Sequence, residues 1–145
     1  MKLTFINFLI ETIAQPVQYK WDYKQSDIWR ASFTANDIKY IVIFQQDDES
    51  NTKWDVAFDV VGNTEPFSLT GTGNSFVVFS TIREILLDFI KTNKNVNTMY
   101  YSAKEESRKK FYTSFSKKLL PDLPGSWELK MKDRGSRFFY FIRQR

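Results

Sequence analysis

The stretch FVVFSTIREILLDFIKTNKNVNTMYY, residues 76–101, decides how this chain folds. It opens on a short apolar run, FVVF. A helical pattern follows, with Ile82, Ile85, Leu86, Phe89 and Ile90 recurring on one side. It closes on a second apolar run, TMYY. Strand, helix and strand in that order predict a right-handed crossover between parallel strands. Two junctions carry the same signature. FVVF leads into Thr81-x-x-Glu84, and TMYY leads into Ser102-x-x-Glu105. Each fits a capping box, in which the hydroxyl caps a free helical N–H and the glutamate reaches back. A second helix is therefore expected over SAKEESRKKFYTSFSKKLL, residues 102–120, and the unit is β-α-β-α.

Upstream, VQYKWDYK alternates with Val17, Tyr19, Trp21 and Tyr23 on one face, as a half-buried strand does. IWRASFTA places Trp29, Ala31 and Phe33 together. IKYIVIF is apolar on both faces and belongs centrally in a sheet. KWDVAFDVV sets Trp54, Val56, Phe58 and Val60 against Asp55, Ala57 and Asp59. The links between these strands are short and polar, so they predict an antiparallel meander of hairpins. Before it, LTFINFLIETIA has helical spacing up to Pro16. Asn7 and Glu11 interrupt it and no small-residue cleavage site follows, so it reads as a folded helix rather than a signal peptide. Downstream, WELKMK and RFFYFIR flank the turn DRGS and predict a closing hairpin. The fold class is α+β: one domain over residues 1–145, with a mixed sheet, an antiparallel N-terminal meander, a β-α-β-α segment and a C-terminal hairpin.

Composition limits the chemistry. Fourteen Phe and an aromatic share of 17% supply a dense core and argue against disorder. There is no Cys and no His. That excludes disulfides, thiolate and imidazole metal sites, and every catalytic dyad or triad built on those groups. No run of uncharged apolar residues is long enough for a membrane helix. Charge is uneven. Residues 1–100 carry 9 Lys/Arg against 12 Asp/Glu, a net of −3, whereas residues 101–145 carry 12 against 5, a net of +7. Such asymmetry suggests an anionic partner for the C-terminal part, although the same lysines also solubilise helix and strand faces.

On the second helix, Phe111, Phe115 and Leu119 recur at i, i+4 and i+8 with Tyr112 beside them, so they face the sheet. Lys104, Arg108, Lys109, Lys110, Lys117 and Lys118 lie mostly off that stripe. A basic face backed by aromatics is found on nucleic-acid-binding surfaces and also on ordinary amphipathic helices, where terminal lysines favour the helix dipole. The binding candidates are Arg108, Lys109, Lys110, Lys117 and Lys118, joined by Arg143 and Arg145. Arg108 can fork to a phosphate or carboxylate, or form a polar contact with Tyr112 inside the fold. Asp47, Asp48 and Glu49 offer oxygen ligands, but their spacing fits no calcium loop and reads as a solvated turn. Asp55 and Asp59 share a strand face, yet four residues along a strand separate them by about 13 Å, too far for a catalytic pair. TGTGN at 70–74 precedes the expected FVVF strand, whereas phosphate cradles follow a strand and open a helix, so it reads as a turn. No metal and no cofactor are expected.

The stretches TGTGNSFVVFSTIREI (70–85) and YSAKEESRKKFY (101–112) resemble a group of small bacteriophage-encoded proteins of unknown function. The N-terminal aromatic strands fit the same outline. The resemblance implies a viral protein acting in the host cytoplasm or carried in the virion. A more distant resemblance is to GCN5-related N-acetyltransferases, which also place an antiparallel meander before a β-α-β-α segment and end in strands. It implies that Tyr112, in the matching pattern on the last helix, would protonate a leaving thiolate. It also implies a glycine-bearing coenzyme A loop at FVVFSTIREI, where this chain has no glycine, so the cofactor site is expected to be degenerate.

Three functions follow as expectations. The first is a non-catalytic phage accessory protein that binds an anionic partner, nucleic acid or an acidic protein surface, through the basic C-terminal helix and hairpin. The second is a structural or interaction protein of a virion or phage–host complex. The third is a degenerate acyltransferase.

Overall fold

The computed structural model describes residues 15–61 and 73–145, with the side chains of 73–75 left aside. The expected N-terminal helix, LTFINFLIETIA, and the start of TGTGN lie outside the described residues. Strands β1 (Tyr19–Lys24), β2 (Ile28–Ala35), β3 (Ile38–Asp47) and β4 (Ser50–Val60) form the antiparallel meander. The β2–β3 turn is Asn36-Asp37, both at positive φ (52° and 64°), and Ala35 pairs with Ile38 across it. Two left-handed residues match the right-handed twist of a hairpin, and Asn and Asp tolerate that conformation best after glycine.

FVVF is not a strand. Helix α1 runs unbroken over Gly73–Thr92. The reason is visible in the spacing: Val78, Phe79, Ile82, Ile85, Leu86, Phe89 and Ile90 form one buried stripe that extends the helical period back through the apolar run. β-branched Val77 and Val78 favour strands only weakly, and packing overrides that preference. Thr81 is consequently mid-helix. Its hydroxyl donates to the Val77 carbonyl (2.9 Å) and accepts from the Val17 N–H (3.0 Å), pinning the approach to β1. The second expected capping box also fails. Ser102 belongs to β5 (Thr98–Ala103), and the cap position of α2 (Glu106–Leu119) is Glu105, whose side chain makes no capping bond. TGTG leads into a helix rather than a strand, since Gly73 is the first residue of α1.

The crossover is therefore β4–α1–β5. Lys53, Trp54 and Asp55 run parallel to Thr98, Met99 and Tyr100. After α2 and a 3-10 turn (Leu120–Asp122), β6 (Trp127–Arg134) and β7 (Ser136–Arg143) close the domain as the expected hairpin, turning at Gly135 with φ 78°. The described strands form one mixed sheet in the order β1-β2-β3-β4-β5-β7-β6. β7 is thus inserted between β5 and β6.

Both described helices cover the same sheet face. Phe89 of α1 stacks on Phe44 (centroids 4.1 Å apart, 13° between planes) and meets the edges of Trp29 and Trp54. From α2, Tyr112, Phe115, Ser116 and Leu119 are buried, and the Ser116 hydroxyl shares a hydrogen bond with Tyr101. Beyond their three paired positions β4 and β5 part. Phe58, Tyr101 and Tyr112 fill that opening edge-to-face, with centroids 5.3 to 5.8 Å apart.

Edge strand β1 is held by a polar clasp. The Asp88 carboxylate accepts from the Tyr19 hydroxyl (2.8 Å) and the Trp21 indole (3.0 Å). Burial pushes the Asp88 carboxyl up, but the bonds from Trp21 and Tyr19, the Lys24 charge and Thr92 outweigh it and hold it below its ordinary value. A carboxyl depressed in the folded state stabilises the fold above its unfolded pKa of about 3.9. That contribution is lost as pH falls through the folded value. In urea unfolding, the wild type is expected to be more stable than Asp88→Asn at pH 6, and the gap is expected to close below about pH 4. A gap that stays constant down to the lowest pH tested refutes the clasp as a source of acid sensitivity.

Candidate functional site

Helix α2 turns its basic residues outward because its aromatic stripe turns inward. Lys104, Lys110, Lys117 and Lys118 are exposed. Lys109 lies flatter on the surface and pairs with Glu106 at 3.1 Å, one turn away. Arg108 is half-buried, and its Nη2 is buried with no hydrogen bond among the described residues. Tyr112, one turn on, is 3% exposed and ringed by Phe58, Phe79, Tyr101 and Phe139. Burial pushes its phenol up to about 12, against the pull of the Arg108 guanidinium. It is a core residue.

The two terminal arginines are tied into the fold. Arg143 stacks over Trp127 (4.5 Å from ring centroid) and donates from Nε to the Val96 carbonyl (2.9 Å). Arg145 donates to the Asn97 side chain. Nor do these arginines adjoin the start of α2. Arg137 meets α2 at Thr113 and pairs with Asp133. Arg143 lies six residues further along β7, about 20 Å away at strand rise. Of the residues picked from the sequence, Lys110, Lys117 and Lys118 on α2 and Arg145 at the end of the chain are exposed, while Arg108, Lys109 and Arg143 are half-buried.

The structure adds a surface that the sequence reading passed over. Opposite the helices, β5, β7 and β6 present Tyr100, Phe138, Tyr140, Lys130 and Lys132, and β4 presents Lys53. Tyr100 lies against Tyr140 (centroids 5.3 Å, 30°), and Tyr140 stacks alongside Phe138 (6.1 Å, 18°). The Lys53 ammonium sits over both tyrosines (5.3 and 5.6 Å), and Lys132 sits over Tyr140 (5.5 Å). Among the described residues no helix packs on this face. Acids share it: Asp55 lies opposite Tyr100 in the register, and Asp47 pairs with Lys53 at 3.9 Å. Burial, then Asp55 and Asp47, push the Tyr100 phenol up to about 12. One signal was available in the sequence. In RFFYFIR both alternating sets are apolar, Phe139 and Phe141 as well as Phe138, Tyr140 and Ile142. That marks a strand with something to contact on each side.

A cleft of about 590 Å³ also opens between α1 and α2, floored by Phe79, Phe111 and Phe115. At its rim Arg83 makes two bonds to one Asp122 oxygen (3.0 and 2.7 Å), and Lys118 lines the same edge. The acidic loop is a turn: Asp47 Oδ1 accepts from the Glu49 N–H at 3.0 Å. Among the described residues no three acidic side chains converge as a metal site, and no helix is long and apolar enough to cross a membrane. No protein-family model matches the chain, and no curated protein matches it.

Proposed function

We propose that this protein is a non-catalytic binding protein for an anionic partner, nucleic acid above all, engaged through the basic C-terminal helix and hairpin. The observation that carries the reading is the set of exposed cations on one third of the chain: Lys104, Lys110, Lys117 and Lys118 on or beside α2, and Lys130, Lys132 and Arg134 on β6. Cations held out on a rigid scaffold attract a polyanion and release its counterions on contact. The role of accessory protein in a bacteriophage, in the host cytoplasm or the virion, rests on the resemblance of YSAKEESRKKFY and TGTGNSFVVFSTIREI. The acyltransferase reading has less support, because Tyr112 is packed among core rings rather than beside a cleft.

The test is binding of the purified protein to short DNA and RNA at low and physiological salt. The control carries Lys109, Lys110, Lys117 and Lys118 changed to Glu. Binding that weakens steeply with salt and vanishes in the control supports the reading. Absence of binding at low salt overturns it in favour of a protein partner, sought by co-purification from infected cells.

A further inference from the structure

We infer that the sheet face on which no described helix packs is a platform for single-stranded nucleic acid, on which bases stack against Tyr100, Tyr140 and Phe138 while Lys53, Lys130 and Lys132 hold phosphates. The inference rests on the nucleic-acid reading above and names the form of the polymer. Its footing is the row of three rings, each about 5 to 6 Å from the next, on adjacent positions of β5 and β7. Rings held by a rigid sheet lose little entropy when a base stacks on them. Every base has a π face, so such a row takes a strand of any sequence.

The cations are placed for the same ligand. Lys130 and Lys132 flank Tyr140 and Phe138 across the β6–β7 pair, since Lys130 is opposite Tyr140 and Lys132 opposite Phe138. Lys53 covers the Tyr100–Tyr140 junction from β4. Phosphates thus meet charge beside the ring row at Lys130, while Lys53 and Lys132, which lie over the rings, swing aside at small cost when a base stacks. Lys130 also reaches Glu128 (3.6 Å), a surface pair that a phosphate can displace at small cost.

The acids set a limit. Asp55 and Asp59 project from β4 on this face, and Asp55 stands opposite Tyr100. They repel a backbone that would run further towards β3. The bound strand is confined to β5, β7 and β6. At its border the Asp55 carboxylate can accept from an exocyclic amino group of a base, as carboxylates do from cytosine.

A duplex does not fit this chemistry, because its bases are already stacked and present only edges. The face therefore discriminates single strands from duplex, which α2 alone, a line of point charges, does not.

The experiment compares a labelled oligothymidylate and an oligouridylate of about 15 nucleotides with a duplex of the same length, by fluorescence anisotropy on the full chain. The wild type is expected to prefer both single strands over duplex. Tyr140→Ala and Tyr100→Ala are each expected to weaken single-strand binding roughly 5- to 150-fold, the range found for loss of one stacked base. Tyr140→Phe keeps the ring and is expected to bind like wild type, which separates stacking from misfolding. Lys132→Glu, on an exposed site, is expected to weaken binding and flatten its salt dependence without touching the core. Ultraviolet crosslinking is expected to mark peptides 98–103 and 136–143. Duplex and single-strand binding that both follow the α2 lysines, with no response to the Tyr100 and Tyr140 variants, overturns this inference and leaves the nucleic-acid reading standing. No binding of either polymer overturns both.

Discussion

Replacing Phe89 by alanine is expected to cost about 3–5 kcal/mol of stability. The ring is 0% exposed, stacked face to face on Phe44 and met by the edges of Trp29 and Trp54. It is the point at which α1 engages β2, β3 and β4 together. Alanine removes the transfer energy of the ring and leaves a cavity lined by rigid aromatic neighbours that cannot collapse into it. Ring pairs add about 0.5–1.5 kcal/mol each beyond buried area, and three are lost at once. A domain of this size has a net stability of about 5–15 kcal/mol, so the substitution removes a large share of it. Urea unfolding followed by tryptophan fluorescence measures the loss. Phe89→Leu, which keeps volume but no ring face, is expected to fall between wild type and alanine. A loss below about 1 kcal/mol for alanine would mean that the four rings do not act as one unit.

The second large effect is on salt dependence. If Lys104, Lys110, Lys117 and Lys118 each neutralise one phosphate of a duplex, the log–log slope of affinity against salt is about −3.6. A fourfold rise in salt then weakens binding on the order of 100-fold. Each lysine reversed to glutamate is expected to lower the slope by about one. Arg143 and Arg145 are expected to contribute less to it, because contacts with Trp127, Val96 and Asn97 hold their donors away from a phosphate on α2. A titration series from about 50 to 200 mM salt with duplex DNA reads these slopes directly. An affinity that is flat across that range contradicts an electrostatic site on α2.

Much of the fold was legible because alternation is hard to imitate. VQYKWDYK, IWRASFTA and KWDVAFDVV each separate their faces by residue type, and the structure places the last two as expected. In the first, a bulge after Trp21 sets Tyr23 opposite Arg30 and Lys24 opposite Trp29, so the expected faces hold only up to Trp21. The misreading at FVVF has a physical source. Four apolar residues in a row fit a buried strand and a buried helix turn equally well, and only the recurrence of Ile82, Ile85, Leu86 and Phe89 at i+4, i+7, i+8 and i+11 from Val78 shows which period continues. The capping boxes misled for a related reason. Thr81-x-x-Glu84 and Ser102-x-x-Glu105 have the right spacing, but a hydroxyl caps only where the chain turns, and Thr81 is mid-helix while Ser102 is in a strand. Of the site, the inward stripe of α2 and the outward lysines followed from a 3.6-residue period. The ring row did not. Tyr100 and Tyr140 are 40 positions apart in the chain and meet only because β7 lies beside β5, a pairing that no local pattern encodes.

That insertion of β7 also governs how the molecule can be assembled during synthesis. The neighbours of β7 on both sides, β5 and β6, leave the ribosome before it does. Until residues 136–143 emerge, β5 has an open edge with Met99 and Tyr101 uncovered, and β6 has no partner strand at all. Pairings this distant in sequence form late, and they expose sticky edges while they wait. The nascent chain is thus prone to aggregate for as long as β5 lacks β7. Joined to β6 at Gly135, β7 then adds to the open edge of β5 with β6 on its far side, as a hairpin.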